Sequence, residues 1–217
     1  MDQPVWGWND LSAASIAPLV DSQLQQTVDV LARAFCSNPL NRAVVQSDDP
    51  ERCFRSNRHS MRTLLPMARL HGQVLVAALD GEVAGGLVAS PPGRFPLPPP
   101  PLVVGLRCLI RQGWRVARRW EAVFEAFEAL HPVEPHWYLA TLGVVASARR
   151  RGMGAALLSR WLAEVDRNAV PAYLETDTEG NIRFYERAGF SLEGEISILG
   201  VRAWRMKRAP AGRLRNN

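Results

Sequence analysis

The sequence predicts a mixed α/β (α+β) fold, a single domain in which helices flank a sheet of about seven strands. Three observations carry that prediction. An apolar run from Trp137 to Val145 feeds through Ala146-Ser147-Ala148 into the basic glycine loop Arg149-Arg150-Arg151-Gly152-Met153-Gly154. An amphipathic helix follows at once, with Ala156, Leu157, Trp161, Leu162 and Val165 at helical spacing and Arg160, Glu164 and Arg167 on its polar side. Second, Gln73 to Leu79 and Glu82 to Ala89 flank Asp80-Gly81, a strong hairpin signal. Third, 217 residues at 47% hydrophobic composition supply one ample core, and nothing requires a second domain.

In chain order, residues 1 to 14 are polar and irregular, and a first strand is placed near Ile16 to Val20. Asp21 or Ser22 can cap a helix carrying Leu24, Val28, Leu31, Ala32 and Phe35 along one side, ended by Ser37-Asn38-Pro39. Asp49-Pro50 starts a second helix, whose buried side is Phe54, Met61, Leu64, Leu65 and Ala68 and which stops at His71-Gly72. The hairpin supplies the second and third strands. Composition then breaks at Ser90 to Pro101, where prolines cannot continue a ladder and keep the chain extended. That segment reads as a stiff spacer within the domain, with an SH3 or WW ligand as the alternative. Residues 102 to 130 read as one helix bent at Gly113, with Leu106, Leu109, Ile110, Ala117, Trp120, Phe124, Phe127 and Leu130 as its apolar stripe. Its arginines, Arg107, Arg111, Arg115, Arg118 and Arg119, precede Glu121, Glu125 and Glu128, an order that opposes the helix dipole. After the central strand, loop and helix come a strand from Pro171 to Thr176 and a short helix from Glu179 to Arg187 closed by Gly189. Phe190 to Ile198 and Val201 to Lys207 can pair as the last two strands. The domain is thus expected over 1–208, and Ala209 to Asn217 is a basic tail expected to be disordered.

Bulk features exclude several classes. Cys36, Cys53 and Cys108 are odd in number and widely spaced, with neither a Cys-x-x-Cys pair nor a histidine spaced for zinc, so no metal is implied and a reducing, cytoplasmic setting is expected. The start, Met1 to Trp8, has no basic region followed by an apolar one, and no apolar run reaches the roughly 18 residues of a spanning helix. A net charge of +5 suits a polyanionic partner of any kind and discriminates little. The arginines are not interleaved with exposed aromatics on a recognition element, so specific nucleic-acid binding is not expected.

The glycine loop is the most informative stretch. Amides that open a helix leave N–H donors unpaired at its positive end, and Gly152 and Gly154 carry no Cβ to keep an anion away. The loop should hold a phosphate group, yet it has neither the Gly-Lys-Ser/Thr of nucleotide hydrolases nor a three-glycine dinucleotide fingerprint. A pyrophosphate carried by another cofactor fits better. The pattern Val144-x-Ala146-x-x-Arg149-x-x-Gly152-x-Gly154, followed by an apolar helix, resembles the acyl-CoA pyrophosphate loop of the GNAT N-acetyltransferase superfamily. Tyr173-Leu174-Glu175-Thr176, then Asn181-x-x-Phe184-Tyr185-Glu186-Arg187-x-Gly189-Phe190, is similar to that superfamily's next strand and helix-to-strand junction. Two motifs in the right order, one strand and helix apart, are far more specific than either alone. More narrowly, Leu130-His131-Pro132 to Leu142-Gly143-Val144, with Trp204-Arg205-Met206, resembles the puromycin acetyltransferase branch.

The resemblance implies a mostly antiparallel sheet splayed between the fourth and fifth strands, acetyl-CoA as co-substrate, and direct attack of a small-molecule primary amine in a ternary complex. It implies that backbone at Leu142, Gly143 and Val144 pairs with the pantetheine and that Arg149, Arg150, Arg151, Gly152, Met153, Gly154 and Ala155 hold the pyrophosphate. Asn181 would hydrogen-bond the CoA arm or fix its own turn. Tyr185 occupies the family's general-acid position, or is a half-buried aromatic that packs its helix. Glu175, in an otherwise apolar strand, is either the base, its pKa raised by partial burial, or a structural carboxylate. Tyr138 is a second candidate base, acting through water, and His136 reads as a surface histidine. Two departures, Ala146 where the family often has proline and Arg150 where glycine is common, leave the loop's local geometry open. The acceptor site is expected behind the segment from Ser90 to His131, with Trp114, Trp120, Phe124 and Phe127 as an apolar wall or simply as core. The arginine-rich face of 102–130 is either solvated or meets CoA, a membrane or another subunit. An idle acyl-CoA-binding regulatory module and a protein or peptide amine acetyltransferase are the alternatives. Monomer and homodimer are both open.

Overall fold

Asp80 and Gly81 take positive φ, 52° and 82°, the twist that joins antiparallel strands through a two-residue turn. They link β2 (Gln73–Leu79) to β3 (Glu82–Ser90) at the centre of one half of the sheet. The computed structural model describes residues 14–210; the irregular stretch expected at the start and the end of the basic tail lie outside them, Ala14, Ala209 and Pro210 excepted. Within them, the remaining strands are β1 (Ala14–Pro18), β4 (Trp137–Val144), β5 (Ala172–Thr176), β6 (Ser191–Ile198) and β7 (Val201–Arg208). They form one seven-stranded sheet in the order β1-β2-β3-β4-β5-β7-β6, antiparallel except for β4 beside β5. The expected α/β architecture and strand count are therefore observed.

Its helices are α1 (Leu24–Ala34), α2 (Pro39–Val45), α3 (Pro50–His71), α4 (Leu102–Gln112), α5 (Trp114–Glu128), α6 (Met153–Asn168) and α7 (Ile182–Glu186). On one face of the sheet, Leu157, Trp161 and Val165 of α6 and Tyr185 of α7 pack on Leu75, Leu87, Trp137, Leu139, Leu174 and Met206. On the other, α1 and α3 bring Val28, Leu31, Met61 and Leu65 onto Val74, Val76 and Val88. Beyond them α2 and α5 cover β6 and β7 through Leu40, Val44, Val116, Val123, Ile198 and Ala203. Alternating strand residues thus feed two cores, as a sheet covered on both faces requires.

Several boundaries differ from expectation for identifiable reasons. The first strand lies two residues earlier, and at this sheet edge Pro18, which has no N–H to donate, is its last residue. No side chain caps α1. Asp21 begins a 3-10 turn instead and pairs with Arg69. Asn38-Pro39, read as a stop, is also a start: the Asn38 side chain accepts from Asn41 N at 3.1 Å and Pro39 opens α2. The expected single helix over 102–130 is two helices broken at Gly113, whose φ of 86° and ψ of 148° no helix contains. Its expected stripe is corrected as well. Val116 and Val123 are the buried residues, flanked by Trp120 and Phe127, whereas α4 buries nothing.

Candidate active site

Parallel pairing of β4 with β5 covers only Trp137–Leu139 against Ala172–Leu174. Beyond that point β4 remains paired with β3 up to Val144, and β5 with β7 up to Thr176, so the two strands part and leave facing edges without a ladder. Leu142, Gly143 and Val144 lie on the free part of β4. Gly143 has its own structural reason, since an added Cβ would sit 2.9 Å from Leu31 Cδ2 of α1.

The basic loop begins where that edge ends. Gly152 takes φ 80° as the residue before α6, and Arg150 takes φ 61°, left-handed geometry that costs a non-glycine roughly 1–2 kcal/mol. The glycine common at that position in the resembled loop therefore answers a backbone demand, which this chain meets with strain. Ala148 and Arg149 N–H groups close the preceding 3-10 turn, and the first amide bonded back into α6 is Ala156, to Gly152 O at 2.9 Å. Among the described residues, the N–H groups of Arg150, Arg151, Gly152, Met153, Gly154 and Ala155 have no acceptor. This run of free donors at a helix start is what a pyrophosphate fits. Arg149 does not reach outward: its guanidinium donates to Val144 O at 3.4 Å and Ala34 O at 3.2 Å, tying the loop to β4 and α1.

Helix α7 stands beside this loop. A Cβ added to Gly154 would be 3.9 Å from the Phe184 ring and 3.7 Å from Val144, ordinary contacts that the protein alone tolerates. Next to Phe184, Tyr185 is buried against Phe190, its ring 5.1 Å from Phe184 and 5.9 Å from Phe190. Burial, and then the charge of Asp177, push its pKa up, so the phenol keeps its proton at neutral pH. Asn181 donates to Thr176 Oγ1 at 3.3 Å, pinning the turn between β5 and α7.

Glu175 lies just past the last β4–β5 pair, opposite Arg205 of β7. Burial pushes its carboxyl up to about 7, against the pull of the Tyr138 and Tyr173 phenols and the Arg205 guanidinium. Its Oε1 is shielded from solvent without a hydrogen-bond partner, and so are Tyr173 Oη, Arg205 Nε and His131 Nδ1. Buried polar atoms without partners are rare, and their gathering marks a site built to handle polar groups.

Ring contacts tie this cluster together. Phe95, from the proline-rich segment, stacks on His131 with ring centres 3.7 Å apart and meets Tyr138 edge-on at 4.6 Å. His131 is edge-on to Tyr138 and Tyr173 at 4.9 and 5.2 Å. His136, expected on the surface, is 7% exposed, a correction explained by its two partners. Its Nδ1 donates to Glu134 O at 2.7 Å, so its Nε2 accepts from His131 Nε2 at 2.8 Å, leaving His131 Nδ1 as a bare acceptor. Burial, with a smaller contribution from His136, lowers His131 to about 4, and burial lowers His136 too, so neutral rings are favoured. The segment from Ser90 to His131 thus reaches Tyr138 and Tyr173, the two tyrosines that act on Glu175, through Phe95 and His131. Its helical aromatics do not: Trp120 and Phe127 pack on β6 and β7, while Trp114 and Phe124 are exposed.

A sheet splayed between β4 and β5, a run of free amides at the helix start beside it, and a buried carboxyl where the strands part suit an acetyl-CoA-dependent transferase. A family model described as "Acetyltransferase (GNAT) family" matches residues 41–190, and the chain belongs to that family. A crystal structure described as histone acetyltransferase HPA2 and related acetyltransferase, from Corynebacterium glutamicum, superposes with a TM-score of 0.71 at 25% identity, covering 92% of this chain and 97% of that one. Arylalkylamine N-acetyltransferase 2 from Aedes aegypti shares the fold at 15% identity and TM-score 0.59, over 90% of this chain and 98% of that one. So does Naa50 from Arabidopsis thaliana in complex with the bisubstrate analogue CoA-Ac-MVNAL, at 17% identity and TM-score 0.54, over 91% and 99%.

The loop assignment has a direct test. Acetyl-CoA at a hundred times its Kd should stabilise the protein by about 2.7 kcal/mol, readily seen as a rise in Tm. Gly154→Val should abolish that rise while moving the ligand-free Tm little, because the fold has room for the side chain's first atom. A variant that keeps the full shift would remove the loop from the CoA site.

Proposed function

We propose that this enzyme moves an acetyl group from acetyl-CoA to the primary amine of a small molecule, by direct attack in a ternary complex. The observation that carries this reading is Glu175, a carboxyl whose pKa burial raises to about 7 at the point where β4 and β5 part, next to Tyr138 and Tyr173, which Phe95 and His131 cover. When bound, acetyl-CoA supplies an activated thioester whose carbonyl is open to attack by an uncharged amine. Free amides of Arg150 to Ala155 hold the pyrophosphate, and the open edge of β4 at Leu142, Gly143 and Val144 aligns the arm. Glu175 takes the proton from the incoming ammonium. Tyr138, whose pKa burial and then the charge of Glu175 push well above the ordinary phenol value, stays protonated. Tyr185 offers its proton on the leaving-group side. Asn181 serves by fixing the turn that carries α7.

A small acceptor is favoured over a peptide because Phe95 brings the proline-rich segment down onto the aromatic cluster beside Glu175, where an open groove would otherwise be needed. The test is an acetyl-CoA-dependent thiol-release screen over aminonucleosides, polyamines, arylalkylamines and peptides with free N-termini. Turnover on small amines is expected. Turnover confined to peptides would reassign the acceptor, and stabilisation by acetyl-CoA without turnover on any amine would leave a binding module.

A further inference from the structure

Helix α4 docks with its apolar side turned away from the protein. Gln112 Nε2 donates to Ser56 O at 2.8 Å and to Ser60 Oγ at 2.5 Å, and Cys108 Sγ to His59 O at 3.8 Å, so the side facing α3 is held by polar contacts. Leu102, Leu106 and Ile110, spaced four residues apart on one stripe, are 87, 52 and 71% exposed, and no residue of α4 is buried. Trp114, 63% exposed, extends the apolar surface past the break at Gly113. Arg107 and Arg111 adjoin the stripe on α4, and Arg115 and Arg118 follow on α5. Among the described residues none of these four has a carboxylate within 4 Å. Of these, Arg111 reaches His59, whose pKa is lowered by burial and then by Arg111 and by Arg62 and Arg58 of α3. Behind Gly113 lies a cavity of about 420 Å³ lined by Arg52, Trp114, Arg115 and Arg119 among others. Arg119 is anchored in its wall by Val44 O at 2.8 Å and Gln46 Oε1 at 2.5 Å.

An exposed apolar stripe beside uncompensated arginines, with a tryptophan at its end, matches the chemistry of a helix lying in a bilayer interface. A second copy suits the patch poorly, since a two-fold axis through α4 would set Arg107 and Arg111 against the same residues of its mate. Nucleic acid would satisfy the arginines but leave the leucine stripe in water. We propose that α4 and the first turn of α5 bind the surface of an anionic lipid bilayer. The stripe of Leu102, Leu106, Ile110 and Trp114 sinks to the boundary of the acyl chains, Arg107, Arg111 and Arg118 meet lipid phosphates, and the arginine-lined cavity behind Gly113 receives a headgroup.

Flotation of the whole protein with vesicles tests this. Vesicles of phosphatidylcholine mixed with phosphatidylglycerol should carry the protein, vesicles of phosphatidylcholine alone should not, and rising salt should weaken the binding. Arg107→Ala with Arg111→Ala should lower affinity about twenty-five-fold, since each arginine near an anionic surface is worth about a factor of five. Leu106→Glu with Ile110→Glu should abolish flotation. Both pairs should retain the acetyl-CoA-induced rise in Tm, which shows that the fold and the CoA site persist. The proposal is overturned by failure to float with anionic vesicles, by equal flotation with phosphatidylcholine alone, or by flotation that survives the double glutamate change. A concentration-dependent dimer seen by light scattering and dissolved by that same change, without vesicle binding, would assign the face to a second copy instead.

Discussion

Glu175→Gln should lower kcat by roughly a hundredfold to ten-thousandfold at pH 8, the usual worth of a positioned base, while the rise in Tm on adding acetyl-CoA stays within a degree or two. The wild-type profile of kcat/KM should climb with pH through a limb near 7, because the carboxyl is pushed up to about 7 and only its ionised form accepts a proton. Glutamine cannot ionise, so that limb should vanish. If it persists unchanged, the titrating group is another residue and Glu175 is not the base.

The same substitution carries a stability signature of opposite sign. A carboxyl at about 4.5 when unfolded and about 7 when folded binds more protons in the native state. Its favourable contribution is therefore complete below pH 4.5 and is lost as pH rises toward 7; above 7 the buried charge is a net cost. At pH 8 the glutamine variant should melt higher than wild type, by an amount worth up to about 3 kcal/mol. A residue serving only to tie down the following loop would show the reverse, a loss of stability on substitution. Activity falling while Tm rises separates the two roles in one variant.

How much of this was legible in the sequence follows from how local each signal is. Asp80-Gly81 and the run from Arg149 to Gly154 dictate their own backbones, so the hairpin and the loop-to-helix junction are observed where expected. Asn38-Pro39 ends one helix and caps the next, and only the first meaning was read; the second depends partly on Asp177, whose carboxylate accepts from Asn38 Nδ2 at 2.6 Å and Leu40 N at 2.7 Å across 137 or more residues of chain. The stripe over 102–130 misled because α4 exposes the very residues that a soluble helix would bury. Around Glu175 the limit is sharper. Phe95, His131, Tyr173 and Arg205 come from four separate segments, and of these only Tyr173 is near Glu175 in the sequence. Tyr173 had a signal, since residues two apart on a strand share a face.

Tyr185→Phe should leave acetyl-CoA binding nearly intact and lower kcat about a hundredfold or more. The substitution removes one oxygen and leaves the ring that packs on Phe184 and Phe190, so neither α7 nor the neighbouring loop should move. What it removes is a proton donor. Burial and the charge of Asp177 both disfavour the phenolate, so the wild-type hydroxyl remains protonated well above neutral pH and can serve a departing thiolate across the working range. The loss should accordingly fall on kcat, with the apparent affinity for acetyl-CoA changed by a few-fold at most, because a group that acts only as charge develops adds little to ground-state binding. An acetyl donor with a more acidic thiol as leaving group needs that proton less, and the gap between variant and wild type should narrow with it. Turnover at the wild-type rate, or a gap that ignores the leaving group, would return Tyr185 to the core of aromatic rings in which it sits.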